Sequence, residues 1–149
     1  SFYLDKDMIN DGFTDVRTGE FYEIVRKGTY RAIDLVAEAN LRLGRSVLVR
    51  GTYSTEVQNP NWTERYEKMT ENTESEFRLI RCVAPEEIIK QRISYRGYER
   101  DRSKLEDWKG FMSREPIRVP IPPHSIEIDT SMNLEQCVEA ALDFLRSKI

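Results

Sequence analysis

The chain of 149 residues has the length of a single domain, and a domain of that length buries roughly two-thirds of its unfolded surface. It carries 23 Lys and Arg against 26 Asp and Glu, and this acidic balance excludes a broadly basic nucleic-acid-binding protein. Hydrophobic residues make up 39% of the chain and occur in clusters, which favours a folded protein over a disordered one. No run of about 18 apolar residues is present, so the sequence predicts no membrane span.

The cysteine pattern indicates reduced thiols. The chain has the cysteines Cys82 and Cys137, a single histidine and no CxxC motif, which argues against a disulfide scaffold or a zinc site. We expect both thiols to be reduced core residues, as is usual in a cytoplasmic protein.

The first third of the chain alternates apolar runs with turn-forming segments. Residues 1–4 predict a buried strand whose carboxyl end delivers acidic residues into a loop. Residues 10–19 are rich in turn formers. Apolar residues then recur at helical spacing over 30–41, and Gly44 suits the end of that helix. Residues 46–49 predict a second buried strand.

The middle of the chain repeats the alternation. A loop with Pro60 precedes a segment over 62–74 that we expect to be partly helical. Residues 77–83 predict a further strand. Pro85, followed directly by two glutamates, marks the start of the next helix, because proline suits the first helical position and acidic residues suit the first turn.

The last third completes an α/β pattern. Residues 116–123 hold four of the six prolines and predict an extended connection to a short strand over 125–129. Asn133 and Gln136 form a capping box before a final amphipathic helix. Regular alternation of strands and helices predicts a parallel sheet covered by helices on both faces, in one domain spanning residues 1–149.

Two carboxylates follow the first predicted strand. Ligands of parallel α/β sheets bind beyond the carboxyl ends of the strands, where Asp5 and Asp7 stand. One interpretation is that either residue caps the next helix. The other is that the pair binds a substrate hydroxyl or a metal-bound water, which is our preferred hypothesis.

Three arginines follow one another at a spacing of four residues, at positions 92, 96 and 100. On a continued helix they would project from nearly one face, where their mutual repulsion favours a bound anion such as phosphate. The alternative is a solvated basic face paired with Glu86 and Glu106.

Several segments in order resemble the small P-loop kinases that are often labelled AAA-family ATPases, with gluconate-kinase-like and zeta-toxin-like relatives. These segments are SFYLDKDMI, GRSVLVRGTY, FRLIRCVAPEEIIKQRISYRGYERDRSKLEDW and IEIDTS. The resemblance covers nearly the whole chain, and its most specific part is the RxxxRGxxRDxxKLxxW run. It implies a three-layer P-loop kinase-like fold with a lid at about residues 92–112, and ATP and Mg²⁺ as cofactors.

The resemblance also implies roles for particular residues. Asp7 would position or deprotonate the acceptor hydroxyl, and Asp5 would support it or bind a magnesium water. Arg92 would stack on adenine, while Arg96 and Arg100 would bind phosphates. The loop after the last strand would lie near the adenine, with Thr130 and Ser131 as contacts. Apart from the resemblance, the positive charges of Lys6, Arg17 and Arg50 make these residues candidates for binding an anionic acceptor.

The sequence departs from this family in two respects. It contains no GxxxxGK[ST] motif, the loop that holds phosphates. We therefore expect the family's N-terminal strand, phosphate loop and first helix to be missing from this chain, which would be the remainder of a longer kinase. Arg50 stands where many relatives have a magnesium-binding aspartate. Either Asp5 takes over that role, or metal binding is weak. Arg50 would in that case be available to hold an anionic substrate.

These observations favour an ATP-dependent phosphotransferase that transfers the γ-phosphoryl group to a hydroxyl of a small molecule or nucleotide. A second hypothesis is a catalytically degenerate domain that binds a nucleotide or a partner. A third is a nucleic-acid-binding or end-processing module that uses the basic segment from Arg92 to Lys104 with Tyr95 and Tyr98.

Overall fold

The computed structural model describes residues 1–14, 19–115 and 119–147. Within these residues the strands are β1 (Phe2–Asp5), β2 (Val47–Arg50), β3 (Leu79–Val83) and β4 (Ser125–Asp129). The helices of the same residues are α1 (Lys6–Asp11), α2 (Gly19–Leu41), α3 (Pro60–Glu71), α4 (Glu86–Arg96), α5 (Arg102–Glu106), α6 (Trp108–Arg114) and α7 (Leu134–Arg146). Short 3₁₀ turns span Glu56–Gln58 and Glu99–Asp101.

The strands form two parallel pairs. β1 pairs with β2 in a register that sets Asp5 beside Arg50, and β3 pairs with β4 in a register that sets Val83 beside Asp129. Helices connect the strands of each pair. They are needed because the chain must cross back to the end at which the first strand began before it can form a parallel second strand. The predicted α/β architecture with parallel strands is confirmed.

The chain divides into two compact units, each with one parallel pair. The first unit comprises Ser1–Tyr53 and Glu64–Glu76, and the second comprises Ser54–Thr63 and Phe77–Ile149. The expectation of a single domain stays a prediction.

The core of the first unit forms where the long helix crosses its strand pair. Ile33 and Ala37 of α2 are buried against Leu4 of β1 and Met69 of α3. Ile33 is completely buried, and full burial of such a side chain contributes about 1.5–3 kcal/mol. The helical spacing in the sequence therefore identified the buried face of α2.

The second unit buries Val83, Ile93 and Ile128. The cap half of the predicted capping box of α7 is present, since the N–H of Gln136 donates to Asn133 Oδ1 at 2.8 Å. The apolar residues of α7 are largely exposed, however, with Leu134 at 77%. The sequence predicted this helix and its start correctly, but not the exposure of its apolar residues.

Three predictions about local structure were wrong. The acidic segment after β1 is helical from Lys6 rather than a loop, for the reason given below. Pro60 opens α3 instead of lying in a loop, because Asn59 Oδ1 accepts the N–H of Asn61 and caps the new helix. Cys82 is a free thiol but lies on the exposed side of β3, not in the core.

None of the helices in the described parts of the chain has the length and apolar character required to cross a lipid bilayer.

The core assignment predicts a contrast within α2. Ile33→Ala should lower the free energy of unfolding by about 2–5 kcal/mol, because it removes buried apolar atoms and leaves a cavity. Leu35→Ala, at a position that is 56% exposed, is the matched control and should change it by no more than about 0.5 kcal/mol. Urea unfolding followed by circular dichroism measures both. Equal losses in the two variants would contradict this core.

Candidate functional site

Asp5 ends β1 and caps α1. Its Oδ1 accepts the backbone N–H groups of Asp7 at 2.9 Å and Met8 at 3.2 Å. The first N–H groups of a helix have no partner within the helix, so a carboxylate at this position satisfies them and stabilises the helix start. Through Oδ1, Asp5 therefore caps the following helix, which is the first of the two interpretations of this residue.

The other carboxylate oxygen of Asp5 binds side chains. Oδ2 accepts the hydroxyl of Tyr3 at 2.9 Å and Arg50 Nη1 at 2.8 Å. The strand register brings these groups together, because Asp5 and Arg50 are paired positions of β1 and β2. The side chain of Arg50 is 74% exposed, while that of Asp5 is 6% exposed. Asp5 thus holds one nitrogen of an arginine whose side chain is largely exposed to solvent.

These contacts keep Asp5 ionised. Burial raises the pKa of this carboxyl group, but hydrogen bonds from Tyr3 and from the N–H groups of Met8 and Asp7, with the charge of Arg50, outweigh it. The net pKa lies below the usual value of 3.8.

The same contacts bear on the predicted magnesium role of Asp5. Each of its oxygens already accepts two donors, and one of these is cationic. This arrangement does not fit direct coordination of Mg²⁺, which needs oxygen lone pairs directed at the ion. Across residues 1–14, 19–115 and 119–147, no group of three or more His, Cys, Asp or Glu side chains is placed to hold a metal.

Lys6 and Asp7 open α1 side by side. The Lys6 side chain is 7% exposed and its Nζ lies 2.9 Å from Asp7 Oδ1 and 5.9 Å from the centre of the Tyr30 ring. The Asp7 carboxylate is 45% exposed, so solvent reaches it. The predicted acceptor residue Arg17 lies outside the described residues.

The arginine series is divided by a glycine. α4 ends at Arg96 because Gly97 adopts a left-handed conformation with φ of 61°. Arg92 and Arg96 share a helix face as predicted, whereas Arg100 lies in the following 3₁₀ turn. The expectation that all three project from one continued helix was therefore wrong.

Arg92 contacts another predicted ATP-binding residue. Its Nη1 and Nη2 donate to Thr130 Oγ1 at 2.8 Å and to the Thr130 carbonyl at 2.6 Å. The Thr130 hydroxyl in turn donates to the Val83 carbonyl at 2.9 Å, and the N–H of Ser131 donates to Asp129 Oδ1 at 2.8 Å. Arg92 thereby ties α4 to the loop that follows β4.

Arg96 is held by a buried acid to which the sequence analysis assigned no role. Asp101 is 1% exposed. Its Oδ2 accepts Arg96 Nε at 2.5 Å and its Oδ1 accepts Lys104 Nζ at 2.7 Å. Burial raises the pKa of this carboxyl group, but the hydrogen bonds from Arg96 and Lys104 lower it by more. The net pKa is therefore below its usual value. The sequence offered only the weak signal of an acid among five nearby cations.

An aromatic ring completes this cluster. The guanidinium carbons of Arg96 and Arg100 lie 5.7 Å and 4.9 Å from the centre of the Tyr98 ring, within cation–π range. The second unit thus gathers two predicted phosphate-binding arginines around one tyrosine.

Comparisons with known proteins identify the family and the fold of the chain. A family model described as an AAA domain matches residues 4–114, most of the chain. The chain belongs to the AAA domain family. A search of curated proteins found no match.

The fold of this AAA domain also resembles a solved structure. A "putative kinase" from Chloroflexus aurantiacus superposes with a TM-score of 0.71 over 99% of this chain and 83% of its own, at 20% sequence identity. The AAA domain therefore has a P-loop kinase-like fold, and the resemblance inferred from the sequence is confirmed. At the general level this is a fold of nucleotide-binding phosphotransferases.

The contacts of Asp5 predict how the stability of the AAA domain depends on pH. Asp5→Asn keeps a capping side chain but removes the charge, and should lower the free energy of unfolding at neutral pH by about 1–3 kcal/mol. A carboxyl with a lowered folded-state pKa stabilises the fold above its unfolded pKa. The difference between wild type and variant should therefore shrink as the pH falls below 3.8, and vanish once it passes the lower folded-state pKa.

Urea unfolding at a series of pH values from neutral to strongly acid measures this difference. A difference that stays constant over the series would contradict the proposed contacts of the Asp5 carboxylate.

Proposed function

We propose that this protein is an ATP-dependent phosphotransferase that transfers the γ-phosphoryl group to a hydroxyl of a small molecule or nucleotide. The AAA domain family and the kinase-like fold support this proposal at the general level. The observation that carries it further is the guanidinium of Arg96, which a buried carboxylate fixes through Nε while the side chain remains 42% exposed.

Such an arginine suits phosphoryl transfer. This reaction depends on positioning and on neutralising charge at the transferred group more than on covalent chemistry by the protein. Arg96 and Arg100 offer planar forks of N–H donors that match phosphate oxygens. We assign both as phosphate ligands, on the lid formed by residues 92–112.

Arg92, Thr130 and Ser131 are proposed to bind the adenine end of ATP. The bonds from Arg92 to Thr130 lie in the guanidinium plane, since they use its N–H groups. They leave the flat faces of the group for stacking on a base.

The acceptor is proposed to bind at the start of α1. Asp7 is placed as the group that positions or deprotonates the hydroxyl, and its exposed carboxylate supports this role. Lys6 and Arg50 would attract an anionic acceptor, with Asp5 fixing Arg50. Mg²⁺ would accompany the phosphates of ATP and help neutralise their charge.

A second candidate function is nucleotide binding without turnover. The saturated oxygens of Asp5 favour it, because the residue predicted to bind magnesium is occupied by four donors. Absence of ATP-dependent product formation in a protein that binds MgATP would select this candidate.

The assignment of Arg96 predicts a loss of nucleotide affinity. In isothermal titration of the full-length protein with MgATP, Arg96→Ala should weaken binding about tenfold or more, because it removes charge-assisted bonds to phosphate. Arg102→Ala is the matched control, since this neighbouring arginine pairs with exposed Glu106 at 3.0 Å. It should leave the affinity unchanged.

Turnover is measured on the same samples as ADP release with candidate acceptors. Failure of the wild-type protein to bind MgATP, or equal affinities of wild type and Arg96→Ala, would overturn the proposed function.

A further inference from the structure

Asp101 is placed unusually for an acid at a helix start. It precedes α5, yet its side chain makes no capping bond to the backbone of that helix. Its two oxygens instead accept Arg96 Nε and Lys104 Nζ, from α4 on one side and α5 on the other. Burying an unpaired carboxylate costs several kcal/mol, so these two cations are a condition for its burial. The position therefore serves side-chain pairing rather than helix initiation.

The atom through which Arg96 is held matters. Asp101 binds Nε, the nitrogen nearest the chain, and no residue of the described parts of the chain hydrogen-bonds Nη1 or Nη2 of Arg96. A guanidinium fixed in this way still presents two terminal nitrogens with up to four N–H donors. The nearby Tyr98 ring further restricts its rotation.

We propose that Asp101 is the positioning residue of Arg96, which it orients through Nε so that Nη1 and Nη2 bind two oxygens of the polyphosphate of ATP. This inference rests on the proposed function, in which Arg96 is a phosphate ligand. Asp101 itself touches no phosphate. It limits the rotamers of Arg96 before the ligand arrives, and a side chain that is already ordered loses less entropy on binding.

The proposal distinguishes Arg96 from a lysine. Lysine carries one nitrogen, so an ammonium paired with Asp101 cannot also present a planar fork to phosphate. Arg96→Lys keeps the charge and the ion pair and is expected to fold. It should nevertheless weaken MgATP binding about tenfold, nearly as much as Arg96→Ala.

A double-mutant cycle tests whether Asp101 affects MgATP binding through Arg96. Asp101→Asn removes the charge with little change of shape, and should weaken MgATP binding about fivefold to tenfold in the wild-type background, by the usual size of coupling between contacting residues. In the Arg96→Ala background it should have no further effect, because the residue through which it acts is gone. Glu106→Gln, at an exposed carboxylate of the same segment, is the control and should be neutral in both backgrounds.

Isothermal titration with MgATP is performed on the full-length protein, and thermal unfolding of each variant reports its stability separately. If Asp101→Asn does not fold, the Arg96→Lys measurement decides alone. Affinity of Arg96→Lys equal to wild type, or an effect of Asp101→Asn that persists undiminished in Arg96→Ala, overturns the positioning role and leaves the proposed function intact. If Arg96→Ala itself binds MgATP normally, the proposed function fails, and the inference fails with it.

Discussion

A carboxylate that folding removes from water needs cations or N–H donors beside it, and this requirement explains the geometry of both candidate regions. Asp5 is buried where β1 meets α1, and Asp101 is buried just before α5. Each satisfies the requirement by binding an arginine, Arg50 in the first unit and Arg96 in the second. In both pairs the acid is nearly inaccessible while the guanidinium remains in contact with solvent.

This arrangement restricts the orientation of each arginine's guanidinium group. A free arginine on a surface samples many rotamers, whereas one nitrogen tied to a buried oxygen leaves the remaining donors in a restricted set of orientations. A protein that binds anionic groups benefits from such order before the ligand arrives. The role of Asp5 is then broader than the sequence suggested, because the same carboxylate starts a helix and orients a cation.

The sequence predicted the repeating features of the fold and missed contacts that depend on chain geometry. Apolar spacing located the buried face of α2, and the Asn133 capping signal located α7, because both follow from local periodicity. The start of α1 was missed because Asp5 is equally suited to a loop and to a helix cap. The role of Asp101 was not predictable, since its charge is visible in the sequence but its burial depends on the turn that Gly97 begins.

If the buried carboxylate of Asp101 fixes Arg96, the Nε–H of this arginine should be protected from exchange with solvent. Arg102 provides the comparison, because its Nε also donates to a carboxylate, Glu106 at 3.0 Å, but that acid is exposed. In nuclear magnetic resonance spectra of the full-length protein, the Nε–H of Arg96 should exchange much more slowly than that of Arg102. Equal exchange rates for the two arginines would show that Asp101 does not fix Arg96.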